Sequence, residues 1–301
     1  MIVLLLTTKN EGDLLRLNLE HHLNSGVDRI AVADNLSNDS TQDVVREFGD
    51  AVVSRRFDDF HARQSVRRAM LAELHGDRGV VDWAIIADTD EFFWAEEALP
   101  DRLGRARRSA VAVRFDAKLY LPTALDPTEG SVVNSRRYRT SGGDSPLHSS
   151  YVAGKTAYRP EWLIGRGPDH SCARHEHLCQ DAAPEEVEEG DLRVHHYMIQ
   201  SEDQFVEKVV RLIEWAKPPS GTVAGIRWRL TPKRRRALPR WSDRFKKEWW
   251  AVYQQAGRDG LRSYYRSTYV IPADQVAESI AAGQLVLDDG LARWREARGL
   301  R

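Results

Sequence analysis

The chain predicts an α/β fold, a mixed and mainly parallel sheet flanked by helices, with a helical C-terminal extension. Two observations carry this. Short continuous apolar runs alternate with amphipathic segments through residues 1–90, the pattern of strand–helix units stacked into a covered sheet. The first of these runs, Ile2–Leu6, is continuously apolar, as expected of a strand buried on both faces.

The elements follow in order. Ile2–Leu6 is the first buried strand. Asp13–Ser25 carries Leu15, Leu19 and Leu23 at i, i+4 and i+8, and Gly26 stops it. Arg29–Asp34 is the second strand; Ser40 or Thr41 caps a helix bearing Val44, Val45 and Phe48. Ala51–Phe57 reads as a strand, His61–His75 as a helix, and Trp83–Ala87 as a fourth strand running into Asp88. Ala110–Leu121 reads as a long strand. Pro122–Pro146, rich in Gly, Ser, Thr and Pro, reads as loop. Further strands are expected over Tyr151–Tyr158 and Leu192–Ile199, and a helix over Glu202–Ala216 through Phe205, Val209 and Ile213. Pro218-Pro219-Ser220-Gly221 is the clearest punctuation, so the domains divide as 1–217 and 218–301, the latter with helices near 243–256 and 273–282.

Composition narrows the class. Apolar residues are 42% and charged residues 30% of the 301, which excludes global disorder. Forty-four basic against forty-five acidic side chains leave a net charge of −1, which argues against a protein that coats nucleic acid. Two cysteines, Cys172 and Cys179, are too few for a disulfide framework, and no apolar stretch approaches the ~18 residues of a membrane span. A cytoplasmic protein is expected.

Two segments carry chemistry. In Val81–Phe92 a buried strand delivers Asp88 and Asp90 at its C-terminal end, where ligand crevices of open α/β sheets lie. Residues i and i+2 of an extended chain share a side, so both acids can address one hard cation, Mn2+ or Mg2+, whose shell a diphosphate and water complete. The competing reading is a loop of solvated acids. In the second segment, Val32–Thr41, a strand ends at Asp34 and a small polar turn enters a helix, able to present a carboxylate to a ribose or base edge. Turn and cap chemistry alone accounts for it equally well. Neither G-x-G-x-x-G nor a P-loop motif is present.

Together Thr8-Lys9-Asn10-Glu11, Asp34-Asn35-x-Ser37-x-Asp39-x-Thr41 and Asp88-x-Asp90-Glu91-Phe92 resemble family 2-type glycosyltransferases of the GT-A (Rossmann-like) fold, in the subgroup with a D-x-D-E-F metal motif. Gly167-Pro168-Asp169-His170 and His196–Lys208 extend the resemblance over residues 1–217. It implies a metal-dependent transfer of a sugar from a nucleotide-diphosphate donor to an acceptor hydroxyl, a glycan or small molecule, with inversion. It implies further that Thr8, Asn10, Glu11 and Asp34 line the nucleotide pocket, that Asp88 lies near ribose and metal, that Asp90 is the main metal ligand, and that His196 closes the metal site. The competing reading of His196 is a histidine satisfied within the core, since His195 can play either part. Asp169 and His170 are the implied proton acceptor, with Glu91 and Asp144 as alternatives. Gln200 replaces the subgroup's arginine, so the charge for the diphosphate comes from elsewhere, with Lys155 and Lys208 as candidate substitutes, or the donor or acceptor geometry differs. Arg63 is a weaker choice, a solvated helix face being its stronger reading. A non-catalytic relative that binds a nucleotide sugar or carbohydrate is the alternative. An aspartate-nucleophile phosphatase is disfavoured because Phe92 follows the second aspartate of the pair by two.

Two stretches stand apart. His170, Cys172, His175, His177 and Cys179 could hold a structural zinc, although the spacing matches no standard module. Over 227–250, arginines and lysines crowd around Trp228, Trp241, Trp249 and Trp250. This suits peripheral membrane or anionic contact, or a lid or homo-oligomer contact whose tryptophans are core.

Overall fold

The computed structural model describes residues 1–58, 62–76, 79–95, 97–127, 132–140, 155–164, 187–216 and 244–300. Strands and helices alternate as β1 (Ile2–Thr8), α1 (Gly12–Asn24), β2 (Arg29–Asp34), α2 (Thr41–Glu47), β3 (Val52–Arg56), α3 (Arg63–His75) and β4 (Trp83–Asp88). Then come β5 (Glu91–Trp94), α4 (Leu99–Gly104), β6 (Ala112–Leu119), α5 (Val132–Ser135), β7 (Tyr138–Thr140), β8 (Lys155–Tyr158) and α6 (Pro160–Ile164). The remainder is β9 (Val187–His196), α7 (Glu202–Ala216), α8 (Arg244–Thr268), α9 (Ala273–Ala281), β10 (Leu285–Leu287) and α10 (Gly290–Glu296).

Eight strands form one mixed sheet in the order β3-β2-β1-β4-β8-β6-β9-β5. The β1–β2, β2–β3, β1–β4 and β6–β9 pairs are parallel; β4–β8, β6–β8 and β5–β9 are antiparallel. The expected α/β sheet therefore forms, and β1 shows why its run is apolar throughout. Leu4 and Leu6 pack with Leu15, Leu19 and Val44 on one face, Val3 and Leu5 with Met70 and Leu71 on the other. Each such side chain taken fully out of water contributes about 1.5–3 kcal/mol. Gly26 ends α1 at φ +93, where a Cβ would stand 2.6 Å from Pro100 Cδ.

The chain divides into two compact units. One comprises Met1–Tyr120, Tyr151–Met198 and Asp289–Arg301, the other Leu121–Ser150 and Ile199–Asp288. This is not the division at 217. Helix α7 groups with α8, because Phe205 packs its ring against Trp249, Tyr265 and Tyr269, and Trp249 Nε1 donates to the Tyr269 hydroxyl at 2.6 Å. Trp249, read from sequence as either membrane-facing or core, is buried here. At the other end α10 belongs to the first unit, where the Trp294 ring meets His21 and the buried Arg295 donates to the Leu17 carbonyl at 3.3 Å.

Other local expectations change. Pro122–Pro146 is not loop throughout, since α5 and β7 lie within it and β7 pairs antiparallel with β10. Helix α8 runs beyond 256 to Thr268, interrupted at Gly257 with φ +60. The C-terminal part is not purely helical, because it supplies β10. Pro218–Gly221 lies outside the described residues. No described helix is long and apolar enough to cross a membrane.

Candidate functional site

The parallel part of the sheet has its topological switch between β1 and β4, since the chain leaves β1 for β2 on one side and reaches β4 on the other. Ligand crevices of open α/β sheets open outside the strand carboxyl ends at such a switch. Here those ends are Thr7 and Thr8 of β1, Asp34 of β2 and Asp88 of β4; Thr8 stands opposite Asp34 and Thr7 opposite Asp88. The hydroxyls of Thr7 and Thr8 are buried and have no hydrogen-bond partner among the described residues.

Beyond Asp88 the strand breaks into a turn at Thr89 and Asp90, and β5 begins at Glu91, in register with His196 of β9. Asp90, Glu91 and His196 are all buried, and one ligand atom from each lies within 4.8 Å of the others. His196 Nε2 is 3.4 Å from Asp90 Oδ1, and its Nδ1 is 4.0 Å from Glu91 Oε1. Lys155 Nζ, from β8, reaches Glu91 Oε1 at 3.0 Å. Two backbone amides fix the turn: Asp88 donates to Glu91 Oε2 at 3.0 Å, and Tyr197 to the Asp90 carbonyl at 2.9 Å. Burial raises the Glu91 carboxyl above its usual range, opposed by the charges of Lys155 and His196.

The trio differs from the expected pair. Asp88 is exposed at the strand end and is not a member; Glu91, read from sequence as an alternative base, stands in the group instead. The i, i+2 argument holds only in extended chain, and the turn at Thr89 ends it. The two histidines also separate. Opposite-facing neighbours on β9, His196 meets the acids while His195 stacks on Tyr120 and shares a hydrogen bond with its hydroxyl at 2.7 Å.

The second segment folds back on β1. The Asp34 carboxylate is fully buried and accepts from the Ser37 amide at 2.9 Å and Gln42 Nε2 at 2.7 Å, with Arg56 Nε at 3.4 Å. Asn10, left-handed at φ +52, donates its amide to Ser37 Oγ and accepts from the Asn38 amide, both at 2.9 Å. Lys9 Nζ donates to the Asn35 and Leu36 carbonyls at 2.5 and 2.7 Å. Glu11 is the partly exposed residue preceding α1. The two loops are thus laced together above β1 and β2.

Arg63 opens α3 and Lys208 sits on α7. Asp169, His170, Asp144, the 170–179 His/Cys cluster and residues 227–243 lie outside the described residues. Sequence reasoning missed Asn18, His21 and His22 of α1, whose buried side chains grip the acid-bearing turn; polar residues at i, i+3 and i+4 in a leucine helix were the available signal.

No family profile matches the chain, and no curated protein matches it in sequence. Among solved structures it is similar to S. aureus TarS 1–349 in complex with UDP-GlcNAc, at 12% identity and a TM-score of 0.43, covering 94% of this chain and 92% of that one. It is also similar to glucosyl-3-phosphoglycerate synthase from Mycobacterium tuberculosis in complex with Mn2+, uridine-diphosphate and glucosyl-3-phosphoglycerate, at 15% identity and a TM-score of 0.36, covering 73% and 82%.

Proposed function

We propose that this chain is a GT-A glycosyltransferase that moves a sugar from a nucleotide-diphosphate donor to an acceptor hydroxyl, with inversion at the anomeric carbon. The observation that supports it most is the buried Asp90–Glu91–His196 group beside the β1/β4 switch point. Two carboxylates and an imidazole suit Mn2+ or Mg2+, and these residues would hold the ion. When bound, the ion would neutralise charge developing on the leaving diphosphate.

The chain's own residues supply the rest. Thr7 and Thr8 offer buried hydroxyls to the nucleotide, while Asn10, Glu11 and the Asp34-anchored loop wall its pocket. Asp88, exposed at the end of β4, would lie near the ribose and the ion. Lys155 pairs with Glu91 and would lend its charge to the phosphate oxygens. Asp169 and His170 take the proton of the acceptor hydroxyl as the new bond forms.

The test is a melting screen of nucleotide diphosphates and sugar nucleotides with and without Mn2+, then donor hydrolysis to free nucleoside diphosphate. A divalent-dependent rise in melting temperature is expected. Asp90→Ala is expected to cut turnover at least about 100-fold. Stabilisation without turnover would mark a binding protein, and release of inorganic phosphate from simple esters would mark a phosphatase. A screen with no ion-dependent response sinks the assignment.

A further inference from the structure

The face that α1 turns toward the acid-bearing turn is polar. Asn18, His21 and His22 are each fully buried. Burying such groups is unfavourable unless hydrogen bonds replace water, and these three bond one short stretch of backbone. A backbone donor fixes the tautomer of His22. The Phe93 amide donates to His22 Nε2 at 3.1 Å, so that nitrogen carries no proton. The ring proton therefore sits on Nδ1, which is shared between the Asn18 backbone carbonyl and Asn18 Oδ1, both at 2.9 Å. Asn18 Nδ2 donates to the carbonyls of Thr89 and Glu91, both at 2.9 Å, and these two acceptors orient its amide. Those carbonyls flank Asp90. His21 Nε2 adds a bond to the Phe93 carbonyl at 2.7 Å.

We propose that Asn18 and His22 are positioning residues that set the Thr89–Phe93 backbone so that Asp90 and Glu91 converge on His196. The inference rests on reading that trio as a cation site, yet concerns side chains outside the trio. A leucine face would fill the same space without ordering two carbonyls and an amide. The rings of Phe92 and Phe93 already pack on the two histidines, so contact alone does not require the polar atoms.

The test uses the full chain as wild type, Asn18→Ala, His22→Ala, His22→Gln and Leu19→Ala. The last opens a cavity on the same helix at a fully buried leucine and controls for general destabilisation. Well below each melting temperature, Mn2+ affinity is measured by the electron paramagnetic resonance of free ion. Hydrogen exchange is followed at the Asp88 and Tyr197 amides. Asn18→Ala and His22→Ala are expected to weaken Mn2+ binding about 10–100-fold, the usual effect of losing an outer partner of a metal site, and to speed exchange at both amides. His22→Gln, whose Oε1 can accept from the Phe93 amide, recovers part of each and carries the test if the alanine variants do not fold. Leu19→Ala lowers the melting temperature and leaves both readouts near wild type. Wild-type affinity and exchange in Asn18→Ala, or equal losses in Leu19→Ala, overturn the proposal. Wild-type protein that binds no Mn2+ sinks the cation reading alone, and the two amides then decide the positioning claim: faster exchange upholds it, unchanged exchange overturns it.

Discussion

At Gly12 a single methyl group would disturb the meeting of α1 with the turn before α2. A Cβ there would stand 2.2 Å from Ser40 Oγ and 3.0 Å from the Thr41 nitrogen. Gly12→Ala is expected to cost about 1–3 kcal/mol, read from urea midpoints, and Ser40→Ala in the same chain to recover part by removing the nearer atom. The buried histidines set a pH dependence. Burial lowers His21 well below its ordinary range and His22 to about 3. Above pH ~6.5 neither the folded nor the unfolded state holds these protons, and the contribution is complete. As pH falls, the unfolded chain takes up protons that the folded one refuses, so stability drops by up to about 1.4 kcal/mol per unit for each ring. Between pH 7 and 5 the wild type should lose about 2 kcal/mol more than His22→Gln. Equal losses in the two proteins would contradict a buried neutral imidazole at His22.

Among the elements, β1, β2 and β4 were legible because a strand covered on both faces leaves an apolar run, whereas β3, the edge strand Val52–Arg56, is buried only at Val52. β5 was not, since its four residues follow the Thr89–Asp90 turn directly and look like its tail. β7 was hidden for another reason: it exists through pairing with Leu285–Leu287, far along the chain, and its local composition favours turns. The candidate site divides in the same way. The strand-then-acid pattern pointed to Asp88 and Asp90, but the grouping of Glu91 with His196 depends on β5–β9 register, which no local window contains. Periodicity marked which α1 face is buried and said nothing of what its polar members hold. In the second unit the α7–α8 contact is aromatic, centred on Phe205. Phe205→Ala is expected to cost about 3–5 kcal/mol and to reduce the near-ultraviolet circular dichroism of the Trp249–Tyr269 cluster. An unchanged spectrum and melting curve would show that this ring does not hold the pair.

For the molecule as a whole, the segment after Asp288 closes the first unit rather than extending the second. Leu291 and Arg295 are buried there, and Trp294 lies 5.1 Å from His21. Deleting 289–301 should therefore destabilise the first unit, by on the order of 3 kcal/mol from apolar burial alone. The aromatic signal of the second unit should persist in that variant; its loss together with the first would refute the assignment of α10. This arrangement also bears on how the protein is made. The codon for Trp294 is read long after the one for His21, so the ribosome must translate nearly everything between before α1 receives its cover. The nascent sheet waits through that interval with an aromatic seat bare, and translation speed across the intervening message sets how long the wait lasts.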